Sequence, residues 1–245
     1  MDKKFRDKAT ELHQRGYCIF REHFANSLIE ACRDSFLPIL QVYLEENRDK
    51  PNRGVCRHFL PMPFELPCFT PEFFFDAAIT GILKHAMGER VVADQWGCDV
   101  PLTGSGYQEF HVDYKRPLFG EKPDLQLPPY MLVVSFGLTK ITADHGAIEI
   151  APGTHTMPRD KAFEAVNTGD IKIESVPLEA GDVLIRHPWA LHRGTPNITG
   201  SPRAFVSIRY VREWYADASR EVNKIPQNVW SSLTPEQQKM MRFPH

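Results

Sequence analysis

The chain has 245 residues, 42% of them apolar, and 29 Lys and Arg stand against 31 Asp and Glu for a formal charge of −2. Such a length suits one large domain or two small ones, and so even a balance exerts no general pull on nucleic acid or an acidic membrane surface. Five scattered cysteines without a Cys-x-x-Cys pair argue against a disulfide framework and a thiolate zinc site, and no apolar run reaches the ~20 residues that cross a bilayer.

The first residues, Met-Asp-Lys-Lys-Phe-Arg-Asp-Lys, are charged and lack the apolar stretch of a signal peptide. The expectation is a soluble, cytoplasmic protein, monomer or homodimer, with no nucleic-acid or membrane partner. Residues 2–15 mix charged and apolar positions at helical spacing and stop at Gly16, a suitable C-terminal cap. Tyr17 to Phe20 is a short β-prone run, and a second helix starts near Asn26 or Ser27 and reaches the forties past Pro38. After a proline-rich connector at 51–67, Thr70-Pro71-Glu72 reads as the cap and first turn of a helix carrying Phe73, Phe74, Ile79 and Leu83.

From about residue 91 the character changes. Short β-rich runs follow at 91–99, 107–113, 130–138, 147–151, 171–177, 182–186, 189–193 and 203–211, punctuated by Gly, Pro and Asp. So many short strands predict a mainly β fold with flanking helices, built on a double-sheet jelly roll or barrel rather than a parallel α/β sheet. One domain is expected over 1–245, with a helical part at 1–90, a jelly-roll core at 91–211 and a helical extension at 212–245. The proline-rich stretch 114–129 interrupts the strands as a candidate lid. A last helix is expected at 232–242, opened by Thr234-Pro235-Glu236-Gln237.

The most informative chemistry is His111 and Asp113, two apart in a strand-like run, because residues i and i+2 of a strand share a face. With a second histidine they would form the facial triad that holds non-heme Fe(II) and leaves coordination positions open. His145, His155, His187 and His192 compete for the third place. His192 is favoured because Leu191-His192-Arg193-Gly194 ends one run and the next carries Arg203, an arginine fork suited to the far carboxylate of a diacid. His187 reads as a core or supporting histidine, and His155 as a residue that fixes a turn. Two histidines and a carboxylate also serve catalytic zinc, yet zinc sites do not generally require the arginine, so the four residues together favour iron.

Three segments then carry a resemblance: Phe-His-Val-Asp at 110–113, Asp-His-Gly-Ala-Ile-Glu-Ile-Ala-Pro-Gly-Thr-His at 144–155, and Ile-Arg-His-Pro-Trp-Ala-Leu-His-Arg-Gly-Thr-Pro-Asn at 185–197. The chain resembles the phytanoyl-CoA dioxygenase family of Fe(II)/2-oxoglutarate oxygenases over roughly residues 91–211, departing mildly with His145 where asparagine is common. The resemblance implies a double-stranded β-helix core, iron ligands His111, Asp113 and His192, and 2-oxoglutarate held by Arg203. It also implies O2 as co-reactant, succinate and CO2 as products, and hydroxylation as the leading outcome, because an aspartate occupies the position that halogenating members leave as alanine or glycine. Ser135, Thr195 and Ser207 are further candidates for the cosubstrate side, each with an alternative role as a structural hydroxyl.

For the small-molecule substrate, strand alternation would turn Glu109 inward beside the ligands, to meet either an arginine such as Arg53 or Arg57 or the substrate itself. Tyr114 and Tyr130, with Phe59, Phe64, Phe69 and Phe119, bracket the lid and connector as a candidate apolar wall or simple core. Trp96 and Trp189 read as packing residues. A non-catalytic binding module and a zinc enzyme on the same triad remain the competing functions.

Overall fold

Local signals set the order of elements. A computed structural model describes residues 3–113, 118–121, 125, 127–216 and 224–245. Helix α1 (Lys3–Arg15) stops at Gly16, whose φ of +76° is open to glycine at little cost. Strand β1 (Tyr17–Phe20) and helix α2 (Asn26–Asn47) follow, the latter with Pro38 inside it. Strand β2 (Arg57–Pro61) leads to α3 (Pro71–Phe75) and α4 (Ala77–Met87). The single helix expected past Thr70 is thus two. Asp76 breaks it in extended geometry and caps the second piece, accepting from Ala78 N at 3.0 Å and Ile79 N at 2.9 Å.

Strands β3 (Val91–Pro101), β4 (Met131–Gly137) and β5 (Ile148–Ile150) come next, then α5 (Arg159–Thr168) and β6 (Glu174–Val176). They are followed by β7 (Val183–Arg186), the two-residue β8 (His192–Arg193) and β9 (Phe205–Arg212). The chain closes with α6 (Gln227–Ser232) and α7 (Pro235–Lys239). Thr234 and Gln237 form the capping box that starts α7, so the helix expected at 232–242 is shorter and has a separate one before it.

Among the described residues the named strands pair antiparallel, and one isolated parallel bridge joins Ala93 to Met241. One sheet has six strands in the order β1-β7-β4-β9-β3-β2 and the other three in the order β6-β5-β8. Two sheets wrapped over each other with helices on the outside make the jelly roll. Period two sorts the large sheet's residues. Trp96, Cys98 and Val100 of β3, Leu132, Val134 and Phe136 of β4, and Val206, Ile208 and Tyr210 of β9 join the main core beneath the helices. The alternate residues turn between the sheets. There Tyr17, Ile150, Leu178 and Leu184 help fill a second, smaller core, and the remaining space is a cavity.

The run 107–113 is the strand that fails to form. It is extended but pairs with β8 only at His111 and His192, while Gln108 N reaches Gly194 O at 2.9 Å and Asp113 N reaches Pro188 O at 3.0 Å. Its partners are therefore out of regular register. Strict alternation of side chains does not hold along it. No helix among the described residues is long and apolar enough to cross a membrane.

Candidate metal centre

That irregular edge carries two of the three ligands. His111 and His192 exchange both backbone bonds at 3.0 Å, which sets their rings side by side with centroids 4.4 Å apart. Asp113 is held two residues on by Pro188. One ligand atom from each of His111, Asp113 and His192 lies within 4.8 Å of the others, and no other such group of three occurs among the described residues.

Both imidazoles have their tautomers set by backbone. Nδ1 of His111 sits 2.9 Å from Glu109 O, and Nδ1 of His192 sits 2.8 Å from Ala190 O, so each Nδ1 carries a proton and donates it. Each Nε2 is left with a lone pair, and that of His192 lies 3.4 Å from Asp113 Oδ1. Carbonyl-oriented imidazoles presenting Nε2 are what a metal site requires. Burial first, and then Arg186, lower the His192 pKa despite Asp113, which favours the neutral ligating form. For Asp113 burial pushes the pKa up, but the Arg186 guanidinium and His192 outweigh it and hold the carboxyl far below its ordinary range. The centre thus offers two imidazole Nε2 atoms and one anionic oxygen, a donor set that fits a divalent iron ion.

Arg186, from the end of β7, grips Asp113 Oδ2 through Nη2 at 2.8 Å. This leaves Oδ1 as the oxygen turned to the histidines. Its Nη1 passes 3.2 Å from His192 Nδ1, where the proton given to Ala190 leaves no lone pair to receive it.

The triad opens into a cavity of about 330 Å³ between the sheets. Arg203, Ser135 and Ser207 line the same cavity, and the two serines stand directly opposite each other on β4 and β9. Arg203 is buried, donates to the Gly146 carbonyl and pairs with Asp99 at 2.5 Å. Arg57 backs this end, 3.8 Å from Asp99 and bonded to Thr195 O at 2.6 Å. Gly194 beside the distal histidine allows that approach, since a Cβ there would meet Arg57 at 2.8 Å.

Other candidates land elsewhere. Thr195 does not line the cavity; its hydroxyl is bonded to Ala147 O at 2.8 Å, the structural alternative. Glu109 is exposed, because its segment is not a regular strand, and its carbonyl orients His111 while its carboxylate stays outside the cavity. Arg57 is taken by Asp99 and two carbonyls instead of Glu109. Tyr130 is buried against Trp214 and Tyr215, outside the metal cavity, and Tyr114 lies outside the described residues. Of the phenylalanines, Phe59 lines the cavity, Phe64 and Phe69 belong to the main core, and Phe119 is exposed near Trp214. His155 is buried in the turn at 154–156, donating to His13 O at 3.1 Å, and burial pushes its pKa down to about 4. Trp96 and Trp189 both pack in apolar clusters.

Sequence reading passed over Arg186, Asp99, Arg209, Gln95 and Gln108, all of which line the cavity. A signal for some of them existed. Arg186 shares its face with Leu184 and Arg209 with Ser207, so alternation alone would have turned both inward.

A model of the phytanoyl-CoA dioxygenase family matches residues 12–205. The chain belongs to the phytanoyl-CoA dioxygenase family. The chain is 26% identical over 198 residues to dioxygenase aneA of Aspergillus aculeatus, spanning 73% of this chain and 62% of that relative's length. Solved structures share the fold. The epimerase SnoN in complex with Fe3+, alpha ketoglutarate and nogalamycin RO superposes with a TM-score of 0.64 at 14% identity, covering 85% of this chain and 83% of that one. The carbocyclase SnoK from nogalamycin biosynthesis superposes at 0.63 with 17% identity, covering 96% and 92%.

Proposed function

We propose that this family member is an Fe(II)- and 2-oxoglutarate-dependent oxygenase that hydroxylates, or otherwise oxidises at a C–H bond, a small metabolite or natural-product intermediate, releasing succinate and CO2. One observation carries the reading: three ligand atoms within 4.8 Å, with both histidine Nδ1 protons already spent on carbonyls, face the cavity that holds Arg203. A relative named a dioxygenase and a fold neighbour crystallised with iron and alpha ketoglutarate support it.

In this reading His111 and His192 through Nε2 and Asp113 through Oδ1 hold the iron. Bound iron with its keto-acid cosubstrate and O2 supplies the oxidising chemistry. The chain's own part is to bind and orient. Arg203, Ser135 and Ser207 offer donors for the cosubstrate carboxylates, and Arg186 keeps one Asp113 oxygen turned to the metal position. Ile148 and Phe205 exclude water from the inner wall.

The test uses purified protein loaded under argon with Fe(II) or Zn(II), followed by calorimetric titration with 2-oxoglutarate and succinate measurement in air. Iron-dependent 2-oxoglutarate binding and succinate release, both lost in His192→Ala, are expected. Metal binding at the triad with no affinity for 2-oxoglutarate overturns the assignment, whether or not the prime substrate is in hand.

A further inference from the structure

The cavity holds more positive charge than the proposed chemistry uses. Arg53, Arg186, Arg203 and Arg209 line it, against Asp99 and Asp113. Behind the wall, Arg57 stands 3.8 Å from Asp99 and Asp94 pairs with Arg209 at 2.6 Å, so this further cation and anion cancel in the sum. A ferrous ion and a 2-oxoglutarate dianion add no net charge, so among the described residues a surplus of two positive charges faces the molecule that enters next. A low-dielectric cleft focuses such a field on its contents.

Three of the four arginines already hold a carboxylate. Arg186 grips Asp113 at 2.8 Å, Arg203 grips Asp99 at 2.5 Å, and Arg209 grips Asp94 at 2.6 Å. Arg53 is the exception, with no ion pair among the described residues. It is exposed at the cavity, and its backbone and its stacking on Phe59 fix its place. Its N–H donates to Arg57 O at 3.1 Å, and its carbonyl accepts from Gln108 Nε2 at 3.3 Å. Its guanidinium lies over the Phe59 ring, 4.6 Å from the centroid, and Phe59 also lines the cavity. Stacking uses the flat face of a guanidinium and leaves the in-plane N–H edge free, the edge that grips a carboxylate bidentately.

Resting on the oxygenase reading, we infer that the substrate is a small organic acid whose carboxylate is received by Arg53 and whose apolar part lies against Phe59, Met131 and Val133. The cavity of about 330 Å³ is near the lower end of the ~300–1,000 Å³ typical of such sites and also takes the metal and 2-oxoglutarate, so only a small acid fits beside them.

Matched probes test this on the Fe(II)- and 2-oxoglutarate-loaded enzyme under argon. Hexanoate, 3-phenylpropanoate and indole-3-acetate are each titrated against their primary amides by calorimetry. Visible absorption of the iron complex is followed in parallel. At least one acid is expected to bind roughly tenfold or more tightly than its amide, as a charge-assisted hydrogen-bonded pair implies. Arg53→Gln should abolish that preference, and Arg53→Lys should keep part of it, with 2-oxoglutarate affinity held within about twofold. No acid binding better than its amide, or an unchanged preference in Arg53→Gln, overturns the inference. The oxygenase reading fails separately, if Fe(II) and 2-oxoglutarate alone give no complex; acid against amide at Arg53 is then still decided by calorimetry.

Discussion

In β4, Phe136 lies under the helices while Ser135 beside it faces the cavity, and in β9 Tyr210 and Arg209 divide in the same way. The two sides of one sheet therefore carry different burdens. Beneath the helices nearly every side chain is apolar, and Tyr210 meets the demand of its hydroxyl by donating to Phe74 O at 2.8 Å. Between the sheets the same strands present arginine, glutamine and serine, with the arginines held by aspartates. Burying charge is costly unless it is paired, whereas apolar burial is favourable without a partner. Packing on the helix side thus leaves the inner side free to carry polar chemistry, provided each buried cation has its anion.

Five substitutions probe that division. Phe136→Ala should cost about 3–5 kcal/mol, read from urea unfolding, and leave the 2-oxoglutarate affinity of the folded protein intact. Arg209→Met should cost about 3 kcal/mol or more because buried Asp94 loses its bidentate partner at 2.6 Å, and adding Asp94→Leu should recover most of it. A double variant as unstable as the single one would show that this pair is not what balances the inner face. Thr195→Val removes one buried hydroxyl-to-carbonyl bond and should lower stability by about 1 kcal/mol with no change in cosubstrate affinity. A weaker 2-oxoglutarate titration in that variant would return Thr195 to the binding residues. Ser135→Ala, one position from Phe136, should move stability by less than about 0.5 kcal/mol yet weaken 2-oxoglutarate binding several-fold. Equal affinity in wild type and variant would make Ser135 a bystander.

How far the site could be read in advance depended on how local each signal was. His111 and Asp113 announce themselves because both lie in one extended run, and His192 with Arg203 because their spacing follows a family pattern. The jelly roll was legible as a succession of short β-rich runs, since turn residues act where they stand. Glu109 and Tyr130 lie outside the cavity for a shared reason. Each expectation assumed a neighbourhood: a regular strand at 107–113, which the irregular bonds to Pro188, His192 and Gly194 deny, and a substrate wall at 130, where Trp214 and Tyr215 stand instead. Arg186 was missed because its importance lies in a partner 73 positions earlier, Asp113.

By itself the sequence determined the order and period of the elements, the caps that start and stop the helices, and the donor types offered to a metal. These follow from backbone sterics and from interactions a few residues apart. Tertiary structure alone decided which aspartate answers which arginine, which nitrogen of each histidine keeps its lone pair, and which cavity arginine, among the described residues, is left without a carboxylate. Those outcomes come from strand register and from carbonyls brought in across the fold, and register is a property of the assembled sheets.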